Sequence, residues 1–137
     1  VKLATRKAVG ISQQRRMQLQ SARASAPALR DSYPQVTMLH LEMRFEDRDG
    51  KTPSPQQHTL YPAARAFFRF ACPCADCDGD FDLGPAVATL VGELDDSGRS
   101  TASTVSGRLP CEGWHARERP SSRPCAIELH YRLKIAK

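Results

Sequence analysis

Residues 70–82, FACPCADCDGDFD, hold three cysteines and four aspartates. Carboxylates and thiolates both bind metals, and paired cysteines also exchange disulfides, so three kinds of chemistry compete for this stretch. Calcium fits worst. Asp76, Asp78 and Asp80 have the spacing of an EF-hand loop, but Phe81 stands where that loop needs glycine and Val87 where it needs a bidentate glutamate. Cys74-Ala-Asp-Cys77 has the spacing of a C-x-x-C redox pair. Such pairs open a helix that follows a parallel strand, whereas the helical pattern here starts only after Gly84.

Thiolate coordination accounts for more of the chain. Zinc takes four soft ligands in a tetrahedron, commonly two from a tight turn and two from elsewhere. Cys111 and Cys125 bound a later loop, each beside a strand-like run. If the flanking strands are neighbours, the thiols of both segments meet at one end of a sheet. Gly79 and Gly113 each follow a cysteine by two residues, in Cys77-Asp-Gly79 and Cys111-Glu-Gly113. Glycine there lets backbone N–H groups turn toward thiolate sulfur. His115, in Cys111-x3-His115, is a lesser ligand candidate. Four thiolates leave no position for water, which is the arrangement of a structural metal. The surrounding aspartates then read as a solvated acidic rim that repels phosphate. No Gly-x-Ser-x-Gly, phosphate-binding loop or His-Glu-x-x-His occurs, so the chain is expected to be no enzyme and to take no small-molecule substrate.

The pattern Phe70-x-Cys72-x4-Cys77-x3-Phe81-x5-Val87 resembles the first half of a two-Cys/two-His zinc finger. Leu90 and Leu94 stand where that finger has its histidines, so a DNA-reading helix is not implied. Closure by four thiols resembles a zinc ribbon instead. Together the resemblances imply zinc held by Cys72, Cys77, Cys111 and Cys125. Cys74 is the alternative to Cys72, because Cys74-x2-Cys77-x-Gly79 also fits a ribbon knuckle.

These ligands must be carried by short elements. Leu39, Leu41, Met43 and Phe45 alternate with polar residues, as do Ile127, Leu129, Tyr131, Leu133 and Ile135, which predicts two strands with one buried face each. His40 and His130 fall on their polar faces and read as exposed or cross-strand paired. ARAFFRFAC and STVSGRLPC are two further strands, and KTPSPQQH is a loop. GPAVATLVGEL is a helix with Val87, Leu90, Val91 and Leu94 on one face, ended by DDSGRS as a turn. The order β, β, α, β, β predicts an α+β, β-rich domain over residues 35–137, an antiparallel sheet of about four strands with one short helix and a ribbon-like knuckle.

Charge separates the rest. Residues 1–30 carry Lys2, Arg6, Lys7, Arg15, Arg16, Arg23 and Arg30 and no acid, while the remaining 107 residues have 13 basic against 15 acidic side chains. Residues 1–34 are therefore expected to be a basic arm and linker, helical from about Ser12 to Ala24 and ordered by a partner. An acid-free basic arm suits RNA or a ribonucleoprotein surface, with Lys2, Arg6, Lys7, Arg15, Arg16 and Arg23 against phosphates. The same composition also suits a mitochondrial targeting segment. The second expectation is a protein–protein adaptor whose arm is a clasp. Arg117, Arg119 and Arg123, with Trp114 and His115, form a smaller basic patch on the second cysteine loop. No run of 18 apolar residues occurs, so no membrane span is expected. Unpaired cysteine number and the lack of an export pattern point to reduced thiols in the cytoplasm.

Overall fold

The computed structural model describes residues 11–47, 55–74, 77–97, 102–115 and 123–137. In chain order the elements are α1 (Ile11–Ala24), α2 (Leu29–Ser32), β1 (Met38–Glu46), β2 (Gln56–Leu60), β3 (Arg69–Ala71), β4 (Asp80–Asp82), α3 (Gly84–Ser97), β5 (Ala102–Pro110), β6 (Trp114–His115), β7 (Arg123–Pro124) and β8 (Glu128–Ala136).

The two alternating runs lie side by side. Strands β1 and β8 pair antiparallel over nine residues, with Leu39 opposite Ile135, Leu41 opposite Leu133 and Phe45 opposite Leu129. All six are buried, because a shared register puts both apolar sets on one face. Strand β5 flanks β8 and β2 flanks β1, giving an antiparallel sheet in the order β2-β1-β8-β5. Tyr131 lies across Gly107 of β5, filling the place of a missing side chain; a Cβ there would overlap its ring. Helix α3 packs on β5 and β8 through Val87, Leu90, Val91 and Leu94, all buried. The Asp82 carboxylate accepts the Gly84 N–H at 2.8 Å, occupying one of the unpaired amides at the helix start. The fold is thus α+β and strand-rich, with the four-stranded antiparallel sheet that the alternation predicts.

The membership of the sheet differs from expectation. Its fourth strand is β2, in a segment read as loop. QQHTL has one aliphatic residue and no clear alternation, as suits a short edge strand with little to bury. ARAFFRFAC does not join the sheet. Only Arg69–Ala71 is strand, and it pairs with β4 in a separate two-stranded ribbon, Phe70 opposite Phe81. Phe81 is buried and its ring meets Phe45 at 5.5 Å, which ties the ribbon to the sheet. Helix α3 continues through Asp95 and Asp96, where a turn was expected. The loop between Cys111 and Cys125 contains the two-residue ribbon β6–β7.

The N-terminal segment is built onto this frame. Helix α1 packs against β3 with Leu19 buried. Residues 25–34, read as linker, hold α2 and the fully buried Leu29. Backbone bonds from Leu29 N–H to Ala64 O (2.7 Å), Arg30 N–H to Pro62 O (3.0 Å) and Ala66 N–H to Pro27 O (2.8 Å) tie this segment to residues 62–66.

A candidate four-cysteine metal centre

Cys72 follows β3, Cys77 precedes β4, Cys111 follows β5 and Cys125 follows β7. The ribbon and the sheet bring these four strand ends together, and all four side chains are buried. Their sulfurs lie within 4.8 Å of one another. Cys72 Sγ is 3.8 Å from Cys125 Sγ, and Cys77 Sγ is 3.4 Å from Cys111 Sγ. A zinc–sulfur distance of about 2.3 Å gives tetrahedral edges of about 3.8 Å, so the spacing fits a single ion held by four thiolates. Cys74 lies outside the cluster; its carbonyl oxygen accepts the Cys77 N–H at 3.5 Å within the turn.

Two matching knuckles form the centre. Gly79 donates its N–H to Cys77 Sγ at 3.2 Å, and Gly113 donates to Cys111 Sγ at 3.4 Å. Cys72 N–H reaches Gly79 O at 3.1 Å, and Cys125 N–H reaches Gly113 O at 2.9 Å. Each cysteine–acid–glycine triplet thus binds the remaining cysteine of its own half. The two glycines face each other across the pseudo-symmetric junction. A Cβ on Gly79 would come within 2.6 Å of Cys111 Sγ and 2.9 Å of Gly113 Cα, and one on Gly113 would overlap the Gly79 backbone. Glycine is required at both positions by close approach.

Electrostatics at the centre are shared among the sulfurs. Cys111 is lowered to about 4 by hydrogen bonds from Cys72 and Cys77, with the Gly113 amide adding to them. Cys72 is raised by its bonds to Cys111 and Cys77, and Cys77 by its bond to Cys111. Burial raises Cys125. A divalent cation binds the thiolate form of cysteine and displaces its proton. Four sulfur donors in a tetrahedron suit zinc or iron.

The aspartates do not form a free acidic rim among the described residues. Asp78 Oδ1 accepts the Trp114 N–H at 2.8 Å and joins the two knuckles. The Asp80 carboxylate pairs with Arg69 at 2.9 Å and with Arg15 of α1, and its side chain is 12% exposed. Asp82 binds the start of α3. Asp76 lies outside the described residues. Sequence reasoning missed the bridge at Asp78, although the repeated cysteine–acid–glycine triplet was a signal that the two segments are arranged alike.

The basic residues divide. Arg15 faces Asp80, and the Arg23 guanidinium lies over Phe67 at 5.5 Å and Phe70 at 5.8 Å. Arg16 is exposed. Lys2, Arg6, Lys7, Arg117 and Arg119 lie outside the described residues. On the sheet, His40 Nδ1 is 2.8 Å from Thr59 Oγ1, and His130 Nε2 lies 3.0 and 2.9 Å from carboxylate oxygens of Glu46 and Glu128. Both histidines are thus cross-strand neighbours of polar groups. No helix among the described residues is long and apolar enough to cross a membrane.

Comparison with known proteins gave no match to a family model, to a curated protein or to a solved structure.

Proposed function

We propose that the chain is a non-catalytic binding module built around a structural zinc ion, and that its basic arm docks on RNA or a ribonucleoprotein surface. One observation carries the zinc half: four buried sulfurs at tetrahedral spacing, two of them accepting knuckle amides. Cys72, Cys77, Cys111 and Cys125 would hold the ion. Zinc would supply a redox-inert crosslink between two segments that also meet at Asp78–Trp114 and Gly79–Gly113, and four thiolates would leave it no water to activate. The cobalt(II)-substituted protein should show the absorption of a tetrahedral thiolate site; an octahedral spectrum argues against it.

The RNA half is supported by the acid-free first 30 residues. With Arg15 and Arg23 turned onto the domain, phosphate contacts fall to Lys2, Arg6, Lys7 and Arg16. Four contacts to a single strand give a log–log salt slope of about −3. Filter binding of a single-stranded RNA across a salt series should find that slope, and removal of residues 1–10 should abolish most of it. Salt-insensitive binding, or none, counts against the RNA reading.

The adaptor reading has its own observation. The outer face of the sheet, with Arg44, Arg132, Lys134, Thr104 and Ser106, is exposed. A protein partner seated there would be retained when residues 1–10 are removed, which separates the two readings.

A further inference from the structure

Helix α1 is poorly equipped to stand alone. It has 14 residues, no acid in its first turn and a polar surface, and Leu19 is the buried member among its described side chains. An isolated helix of that length is marginal in water. Its order therefore comes from its seat, and that seat is the β3–β4 ribbon. Leu19 in the core, Arg15 on Asp80, and Arg23 over Phe67 and Phe70 hold it there.

The seat in turn depends on the cysteine centre. The ribbon is three residue pairs long, too short to be stable unaided. Its open end belongs to the sheet through Phe81 and Leu83, both buried. Its other end, where Ala71 faces Asp80, leads directly into Cys72 and from Cys77. Asp80, the residue that Arg15 grips, is thus held in place by the metal end of the ribbon.

We propose that α1 is a latch gated by the metal centre. With the four cysteines joined by metal, α1 is docked and Arg15 and Arg23 are turned onto the domain. With the metal removed, the ribbon end opens, the catch at Asp80 is lost and the helix is released, freeing Arg15 for an anionic partner. This rests on the metal reading of the cysteine cluster. The sheet core is expected to stay, since Leu39, Leu41, Leu129, Leu133 and Ile135 face one another across β1 and β8 and are covered by the α3 face.

Limited trypsin digestion followed by mass spectrometry tests the latch without any partner. Zinc-loaded protein, of measured stoichiometry, should be cut slowly after Arg15, Arg16 and Arg23. Chelator-stripped protein should be cut there about tenfold faster or more, because cleavage follows the open population. Sites after Arg132 and Lys134, inside β8, should stay protected. In loaded protein, Asp80→Asn should reproduce the faster arm cleavage while keeping one metal per chain. Equal arm cleavage in loaded and stripped protein overturns the latch, as does an Asp80→Asn protein protected like the wild type. Simultaneous loss of protection in β8 also overturns it, because the arm is then not gated separately. A chain that takes up no metal contradicts the metal reading and the latch together; one that binds metal and shows no difference contradicts the latch alone.

Discussion

At the scale of single residues, the centre makes sharp distinctions among chemically similar side chains. Cys72 and Cys74 both satisfy knuckle spacing, so the sequence left the choice between them open. What separates them is the ladder. Cys72 continues β3 and donates its N–H to Gly79 O, whereas Cys74 sits in the turn beyond, where its carbonyl is used instead. Serine at Cys72, Cys77, Cys111 or Cys125 should therefore abolish tight metal binding, while Cys74→Ser should retain one metal per chain, as read by competition with a chromophoric chelator. Cys111 and Cys125 were legible because each borders a strand-like run, Cys111 after STVSGRLP and Cys125 before the alternating β8. The glycines give a second distinction. Gly79→Ala and Gly113→Ala force a side chain into backbone and sulfur atoms and should each cost about 1–3 kcal/mol. Gly92→Ala, with open space around it in α3, should gain about 0.5–1 kcal/mol. Urea melts of the three variants check both signs; a stabilised Gly113→Ala protein contradicts the packed junction.

At the scale of elements, the strong alternation of β1 and β8 and the one-faced pattern of α3 were readable, because each buries a full apolar set. The short edge strand β2 and the ribbon β3–β4 were not. Their positions are set by what they pack against, and five or three residues carry too little periodicity to show it. The same holds for the seat of α1, where a stack runs from Arg23 through Phe70 to His58 across three elements. The His58 ring lies on Phe70 at 5.6 Å and 23°, with Nε2 buried and lacking a hydrogen-bond partner among the described residues. Burial first, and Arg23 second, lower its pKa from 6.5. The folded chain thus resists a proton that the unfolded chain accepts. The resulting stability is complete well above about 6.5 and is lost progressively as pH falls below it toward the lowered folded value. His58→Phe, which keeps the stack, should lose less stability than the wild type between about pH 7.5 and 5.5 in paired urea melts. Parallel profiles for the two proteins would contradict a lowered pKa at the half-buried His58.

At the scale of the whole molecule, the chain has two stabilising systems at two ends. One is the sheet and α3, whose side chains bury each other. The other is the junction of two knuckles, whose four buried cysteines border the same core and are joined by backbone–sulfur hydrogen bonds. Removal of metal should therefore loosen β3–β4, β6–β7 and α1 and lower the melting temperature, yet leave the far-ultraviolet signature of the sheet. Amide hydrogen exchange should speed up at Gly79, Gly113 and Cys125 after chelation and change little in β1 and β8. Uniform acceleration in both regions would contradict this division. The direct measurement is metal content of the purified full chain by elemental analysis, paired with melts before and after chelation. One zinc per chain is expected, with a lower melting temperature once it is removed. Metal-free protein whose melting temperature ignores both chelator and added zinc would contradict the four-cysteine centre itself.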